Sequence, residues 1–454
     1  MGSLGGNTSD APKSESVSTK HQRIAELAKR SPQTSFTSLA HHIDIGWLNE
    51  AYRQTRRDGA AGVDGQTAKG YAVELKENLQ SLLDRAKSGT YRAPPVRRVY
   101  IPKGTGNETR PIGIPTFEDK VLQRAVVMVL EPLYEQDFLD CSYGFRPGRS
   151  AHQALEALRH QTMEMRGGWM VEVDIRKFFD TLDRAWLRAF LHRRVRDGVL
   201  LRLIGKWLNA GVLDGGEYSV PEAGTPQGGV ISPLLANIYL HYVLDEWFEQ
   251  VVKPCLKGRA FLIRYADDFV MGFACEEDAR RVMEVLPKRF GKYGLTLHPE
   301  KTRLVRFERP PYRPPSTGPK PEPPETFEFL GFRHVWTRSQ KGNWVVGRQT
   351  ASSRFSRVVR KIAQWCRVNR HEPIAEQHEH LSQQLRGHDA YYGITGNSPS
   401  LQRLRHEVNR LWRKWLARRR DGPLTWDAFT RLLARFPLPA ARVVHSRAFT
   451  IANP

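Results

Sequence analysis

The chain has 454 residues, 40% of them hydrophobic and 10% aromatic, enough to bury the cores of about three domains. Its 70 Lys and Arg against 48 Asp and Glu leave a formal charge of +22, a field that recruits polyanions and makes nucleic acid the natural partner. Four scattered cysteines without a C-x-x-C pair exclude zinc fingers, and no apolar run approaches the ~18 residues of a membrane span, so a soluble cytoplasmic chain with no membrane partner is expected.

The opening MGSLGGNTSDAPKSESVSTK is small and polar with no hydrophobic signal region. A disordered tail is expected over 1–35, although Ile24, Leu27 and Ala28 already stand at helical spacing from His21. The stretch from Asp58 to Gly65 reads as a tight loop, and 71–88 as an amphipathic helix through Leu75, Leu79, Leu82 and Leu83. Val96-Arg-Arg-Val-Tyr-Ile-Pro-Lys103 and Arg110-Pro-Ile-Gly-Ile-Pro115, parted by Gly104-Thr-Gly-Asn107, predict a β-hairpin carrying Lys103 and Arg110, with a helix following over 117–135. A strand over 169–175 buries Trp169, Val171, Val173 and Ile175 on one face and ends with Asp174 on the other. Helices are expected at 183–195 and 198–209.

Thr225-Pro-Gln-Gly-Gly229 is a loop that opens a helix containing Leu234, Leu235, Ile238 and Leu240. Phe261-Leu-Ile-Arg-Tyr265 and Phe269-Val-Met-Gly-Phe273 are strands around Ala266-Asp-Asp268, a hairpin with two carboxylates at its tip. A helix at 276–292, a Pro-rich surface loop at 309–325 and a strand at 327–332 follow. The remainder from about 350 reads as helical, and residues 351–454 hold 19 Lys and Arg against 7 Asp and Glu. Ser398 and Pro399 predict an N-cap and first turn. Leu401, Leu404, Val408, Leu411, Trp412 and Trp415 line one face of that helix, the tryptophans as core. Arg413, Lys414, Arg418, Arg419 and Arg420 are expected as exposed cations along it.

Asp174, Asp267 and Asp268 each stand at a strand end, where the backbone is held and the side chain is free. Adjacent carboxylates repel one another and call for a cation. Two Mg²⁺ ions about 3.5–4 Å apart would satisfy them and activate a hydroxyl nucleophile against a phosphoryl group. By itself Asp-Asp in a hairpin is turn chemistry; its flanks decide the matter.

Tyr265-Ala-Asp-Asp268 between apolar strands resembles the palm signature of reverse transcriptases, and Asp174-Ile-Arg-Lys-Phe-Phe179 resembles their first palm motif. Pro226-Gln-Gly-Gly-Val-Ile-Ser-Pro-Leu-Leu-Ala-Asn237 resembles the helix-opening motif of the group II intron and related bacterial enzymes. Arg110-Pro-Ile-Gly-Ile-Pro115 and Ser142-Tyr-Gly-Phe-Arg-Pro-Gly-Arg-Ser150 look like their fingers motifs, and Gly62-Val-Asp-Gly65 like their N-terminal extension. His298-Pro-Glu-Lys-Thr302 and Phe329-Leu-Gly331 complete the palm in the family's order, while Leu385-Arg-Gly-His-Asp-Ala-Tyr-Tyr-Gly393 and Ser398-Pro-Ser-Leu401 resemble the thumb with the maturase-specific segment. The resemblance covers about residues 40–450.

It implies an α/β (α+β) right-hand polymerase: N-terminal extension and fingers over 36–160, palm over 161–335 with part of the fingers interleaved, and helical thumb and maturase region over 336–454. It implies an RNA-directed DNA polymerase that extends a DNA or RNA primer with dNTPs on an RNA template, using two Mg²⁺ ions for which Mn²⁺ can substitute. Asp174, Asp267 and Asp268 match the metal triad, with Ile175 adding backbone contacts. Lys103, Arg110, Phe179, Gln227 and Lys301 match the dNTP site. Phe179 serves there as a steric gate outside the core that Phe178 enters, and Lys301 lies near the leaving pyrophosphate. Arg146, Arg149, Tyr265 and Arg413 to Arg420 are expected on template, primer or intron RNA, and Arg264 is placed beside the Asp pair, facing the primer. Partners would include group II intron RNA, with the chain a monomer or weak homodimer in the bacterial cytosol, associated with the nucleoid when acting on DNA. No His/Cys cluster follows residue 420, so the endonuclease module of some intron proteins is not expected. The competing readings are a domesticated reverse transcriptase in defence or diversification, and an RNA-binding splicing factor without polymerase activity.

Overall fold

A computed structural model describes residues 16–102, 109–220, 224, 228–312, 324–419 and 424–445. Lys103, Gln227, Arg420, the hairpin tip at 104–107 and most of the Pro-rich segment lie outside them.

The described chain begins with α1 (Val17–Arg30), capped by the Ser16 side chain on Thr19 N–H. This corrects the disordered tail expected to residue 35. Ile24 and Ala28, one turn apart, are buried, and Arg194 donates to the carbonyls of Ser31 (2.7 Å) and Thr34 (2.8 Å). The partner that orders the segment thus lies 160 residues away in sequence. α2 (Ile45–Gln54), α3 (Ala68–Tyr71) and α4 (Leu75–Ser88) follow, α4 ending at Gly89 in the left-handed region (φ 84°). Strands β1 (Val96–Pro102) and β2 (Thr109–Ile114) form the expected hairpin, paired from Arg97↔Ile114 to Pro102↔Thr109. Helix α5 (Phe117–Tyr134) is buried on nearly every side, so it forms the spine of the largest core. A capping box of Ser150 and Gln153 opens α6 (Ala151–Glu164).

Next come β3 (Trp169–Val173), α7 (Phe178–Thr181), α8 (Arg184–Arg194), α9 (Gly198–Leu208), and the short strands β4 (Val212–Asp214) and β5 (Glu217–Ser219). Helix α10 (Ser232–Leu240) runs on through π-helical turns at His241–Asp245 and Phe248–Val252. Strands β6 (Ala260–Tyr265) and β7 (Asp268–Phe273), α11 (Glu276–Lys292) and β8 (Arg303–Arg306) complete the middle of the chain. The central sheet has the order β6-β7-β3-β8 and is antiparallel throughout. A second sheet, β2-β1-β4-β5, joins β4 to β1 in parallel.

The strand expected over 327–332 is two strands. Leu330 (φ 50°) and Gly331 (φ 79°) turn the chain between β9 (Phe327–Phe329) and β10 (Phe332–Arg338), and β11 (Trp344–Thr350) adds a third strand. Their core of Phe307, Phe327, Phe332 and Trp336 is shared with Leu155 and Leu158 of α6. Extended structure therefore runs past the expected 335/336 boundary. Helices α12 (Ser352–Val368), α13 (Ile374–Tyr392), α14 (Ser398–Ala417) and α15 (Trp426–Arg435) bury a third core around Leu381, Leu385, Leu404, Val408, Trp412 and Phe429. Helix α14 starts as expected, but its N-cap is Asn397 rather than Ser398. The Asn397 amide bonds the Thr350 hydroxyl and the Tyr392 carbonyl, tying β11 to α13.

Candidate active site

Strand register brings the three aspartates to one end of the central sheet. Val173 of β3 pairs with Phe269 of β7 at the end of their shared ladder, and Asp174 and Asp268 are the next residues along the two chains at that end. Strands β6 and β7 turn through Ala266 and Asp267 alone, with Ala266 in the left-handed region (φ 58°). Such a conformation costs an alanine about 1 kcal/mol and persists only if its surroundings enforce it.

Those surroundings are a buried polar network. Arg264, expected to face the primer, has no solvent exposure at all. Its guanidinium donates to both carboxylate oxygens of Asp245 (2.7 and 2.5 Å), to Asn237 Oδ1 (2.9 Å) and to the Ala266 carbonyl (3.0 Å). Burial works to lower the Arg264 pKa and Asp245 more than offsets it, so the guanidinium stays charged. Asn237 also donates to the Gly144 carbonyl (2.7 Å), and Gly144 lies so close to Ala266 that a Cβ there would strike its backbone. Two sequence-distant segments, the helical run bearing Asn237 and Asp245 and the loop at Gly144, therefore pin the carboxylate-bearing turn. No motif marks Asp245, yet it lies in the largely apolar run from Ile238 to Phe248, where a fully buried acid demands a buried partner.

The carboxylates sit in an unfavourable field. Asp267 is half-buried, and loss of hydration raises its pKa, with Asp174 adding to the rise and Arg110 opposing it. Asp268 is exposed, and the neighbouring carboxylates lie close enough to act on it. Loss of hydration, then Asp267 and Asp174, push its pKa up to about 6. Asp174 is met by a cation, the Lys301 ammonium at 2.8 Å. Among the described residues no three His, Cys, Asp or Glu side chains are already drawn together as a metal cage. Crowded carboxylates, one of them holding an ammonium through a half-exposed ion pair that contributes little by itself, form a donor set that suits a hard divalent cation.

Ile175, beside Asp174, is buried, and its backbone bridges to Leu297. Phe179 departs from expectation. It is 8% exposed and packs edge-on against Phe178 at 5.2 Å, because Lys177 in the left-handed region starts a short turn that carries both rings inward. Tyr265 is half-buried against the core beneath β9–β11. Arg146 does not reach out to nucleic acid. Its side chain is 3% exposed, pairs with Glu135 (2.9 Å) and donates to the carbonyls of Leu139 (2.7 Å) and Ser142 (2.9 Å). Arg149 lies nearer the surface, paired with the exposed Asp140 and stacked on Tyr143.

Lys414 near the end of α14 and Arg418 and Arg419 just beyond it are exposed, the first two stacked on a half-buried Trp415, while Arg419 also donates to the carbonyls of Arg370 and Glu372. Arg413 is not exposed as expected; it lies half-buried over Trp426 at 4.1 Å and donates to the Leu424 carbonyl. Of the two tryptophans expected in the core, Trp412 is fully enclosed.

Comparison with known proteins gives two family matches. Residues 101–334 match the family model of reverse transcriptase (RNA-dependent DNA polymerase), and residues 355–432 that of the group II intron maturase-specific domain. Protein YkfC of Escherichia coli (strain K12) is 34% identical over 368 residues, 72% of this chain and 90% of that protein. Group II intron-encoded protein LtrA of Lactococcus lactis subsp. cremoris is 40% identical over 237 residues, 51% of this chain and 38% of its own length. Nuclear intron maturase 2, mitochondrial, of Arabidopsis thaliana is 30% identical over 177 residues, 30% of this chain and 24% of its own. The chain thus spans most of the first relative and well under half of the other two. Among the described residues no helix is long and apolar enough to cross a membrane.

Proposed function

This chain belongs to the group II intron family of reverse transcriptases with a maturase-specific domain, and from that membership we propose that it is an active RNA-directed DNA polymerase which also binds intron RNA to assist splicing and retrohoming. The observation that carries the catalytic half is the register-built triad of Asp174, Asp267 and Asp268 on a turn locked by Arg264 and Asp245. A chain that only bound RNA would have no use for three carboxylates in mutual repulsion.

In this reading the triad holds two Mg²⁺ ions. When bound, such ions favour the ionised primer 3′-hydroxyl and neutralise charge developing on the leaving pyrophosphate. The protein's own contribution is positioning. The buried network holds the backbone of the turn that carries the Asp pair, which limits reorganisation during the reaction. Lys301 lies 2.8 Å from Asp174 and is free to exchange that partner for a phosphate oxygen, while Arg110 reaches the same field from β2. The Phe179 ring, nearly sealed against Phe178, supports a rigid wall under the sugar of an incoming dNTP rather than a mobile gate. The exposed Lys414, Arg418 and Arg419 suit a nucleic-acid backbone.

Primer extension on an RNA template with Mg²⁺ and dNTPs tests this for the unmodified chain and for Asp267→Ala. Extension lost in the variant is expected. Extension retained in the variant overturns the role of the Asp pair. No extension by the unmodified chain, with tight binding to structured RNA retained, favours the splicing-factor reading.

A further inference from the structure

After α15 the segment from Phe436 to His445 belongs to no helix or named strand, yet it is held along its length as it runs beside α13 in the same direction. The His378 ring donates to the Pro437 carbonyl (2.9 Å), with Phe436 5.8 Å from that ring. Further on, Arg442 N–H donates to the buried Asp389 carboxylate (3.0 Å), which also accepts from Arg405. The N–H groups of Val444 and His445 both donate to the Gly393 carbonyl (2.7 and 2.8 Å), and His445 Nε2 donates to the Ala390 carbonyl (2.8 Å). A Cβ on Gly393 would strike the Arg442 carbonyl at 2.6 Å, so the segment presses directly on the end of α13.

These contacts leave the segment little slack. From His378 to Asp389 the helix rises about 16 Å, and the five steps from Pro437 to Arg442 extend at most about 18 Å. From Asp389 to Gly393 the rise is about 6 Å, against at most about 7 Å from Arg442 to Val444. Pro437 and Pro439 fix their own φ and keep the residues before them extended, so the stretched form is preorganised.

The end of the segment crosses from the helical unit α12–α15 to the rest of the molecule. The His445 ring stacks on His152 at 3.7 Å, and His152 Nε2 donates to the Tyr391 carbonyl (2.8 Å). His152 stands on the first turn of α6, which packs on β6, the strand that leads into the Asp turn. Ala351 to Gly331, Tyr391 to Leu330 and Asn397 to Thr350 tie the unit to the sheets at one joint, around the start of α12 and the α13–α14 turn. The segment links that joint to α15 at the other end of α13. Helix α15 in turn holds the end of α14 that bears the exposed Lys414, through Arg413 over Trp426 (4.1 Å).

We infer that Phe436–His445 is a taut strap that limits how far the α14–α15 end of the helical unit can open from the central sheet, and so sets the grip of that unit on a bound template–primer duplex. The second half rests on the polymerase reading above.

The test uses the full chain and a labelled RNA–DNA duplex. A Gly-Ser-Gly insertion between Ala440 and Ala441 adds about 10 Å of slack and keeps every contacting residue. Dissociation of the duplex should quicken roughly 10-fold. With excess unlabelled duplex as a trap, the product made per binding event should shorten in step. Addition of the first nucleotide by the preformed complex should stay within about 2-fold, since the Asp turn is untouched. His445→Ala, which removes only the stack on His152 and the side-chain bond to the Ala390 carbonyl, should move dissociation the same way by less. A merely stabilising role would lower the urea midpoint and leave dissociation and product length at parental values, and that result overturns the inference. If the insertion variant does not fold, His445→Ala decides on the same readings. Dissociation quickened by slack in a chain that never extends a primer overturns the polymerase reading and upholds the strap; normal extension with unchanged dissociation overturns the strap alone.

Discussion

Asp245 and Arg264 have no solvent exposure and satisfy one another in a bidentate pair, so each would be left as a bare buried charge without the other. Asp245→Ala is expected to cost about 3–5 kcal/mol, seen as a lower urea midpoint at unchanged slope, and to abolish extension in whatever fraction folds. Arg149→Ala removes a pair whose acid, Asp140, is 96% exposed, and its cost should stay within about 0.5 kcal/mol. Equal midpoints for the two variants would contradict the distinction drawn between them. The three aspartates could be singled out in the sequence as candidate metal ligands because few residue types can do that work and each sits at a strand end. The fate of Arg146 and Arg264 was not legible there. An arginine beside a functional motif carries the same letter whether it meets a phosphate or a buried carboxylate, and its partners Glu135 and Asp245 are set by packing.

At the scale of elements, β10 and α13 each bury a neutral histidine. Burial lowers the pKa of His334 to about 3, with Arg348 acting in the same direction, and lowers that of His388 to about 4 despite the opposing Asp389. The folded state therefore binds fewer protons than the unfolded chain between the ordinary value of 6.5 and about 4, and stability rises with pH through that window. The urea midpoint should fall as pH is lowered from 6.5 toward 4. His388→Phe, which keeps a ring against Tyr392, should flatten that fall; parallel curves for variant and parent would refute the assignment.

In the same region Trp412, fully enclosed and donating to Gln377 (2.9 Å), anchors α14 on α13. Trp412→Ala should cost about 3–5 kcal/mol, with hydrogen-exchange protection lost first in α12–α15. Helices α4, α5, α8, α9 and α11 were expected over 71–88, 117–135, 183–195, 198–209 and 276–292, close to their observed spans. The split of β9 from β10 could not be expected, because Phe329-Leu-Gly-Phe332 is apolar throughout and only the positive φ of Leu330 and Gly331 reveals the turn.

For the whole molecule the excess of 22 positive charges is spread along the chain, and much of what lies on α14 is solvent-exposed. Binding of an RNA template–primer should weaken on the order of 10³-fold between 50 and 200 mM salt, as for a protein that neutralises six or more phosphates. Filter binding across that range measures it, and a flat response would mean that the charge is not what holds the RNA. Replacing Lys414, Arg418 and Arg419 together by Gln should reduce the slope without altering the urea midpoint by more than about 1 kcal/mol. Loss of fold instead would place those side chains in the structure's support.

The sequence by itself determined the family and the basic character. Motif order and spacing identify the first and composition the second, since residue type and local spacing are enough to state what a carboxylate at a strand end or a cation on a helix face can do. Tertiary structure alone decided which charges are spent internally and which remain to act. It ordered α1 through an arginine far along the chain, drew Phe179 into the core, and gave Arg264 and Arg146 buried partners. The physical reason is that an ion pair, a desolvated carboxylate or a locked left-handed alanine depends on contacts between segments 11 residues apart, as for Arg146 and Glu135, to 163 apart, as for Arg194 and Ser31, and no local pattern encodes which of them will meet.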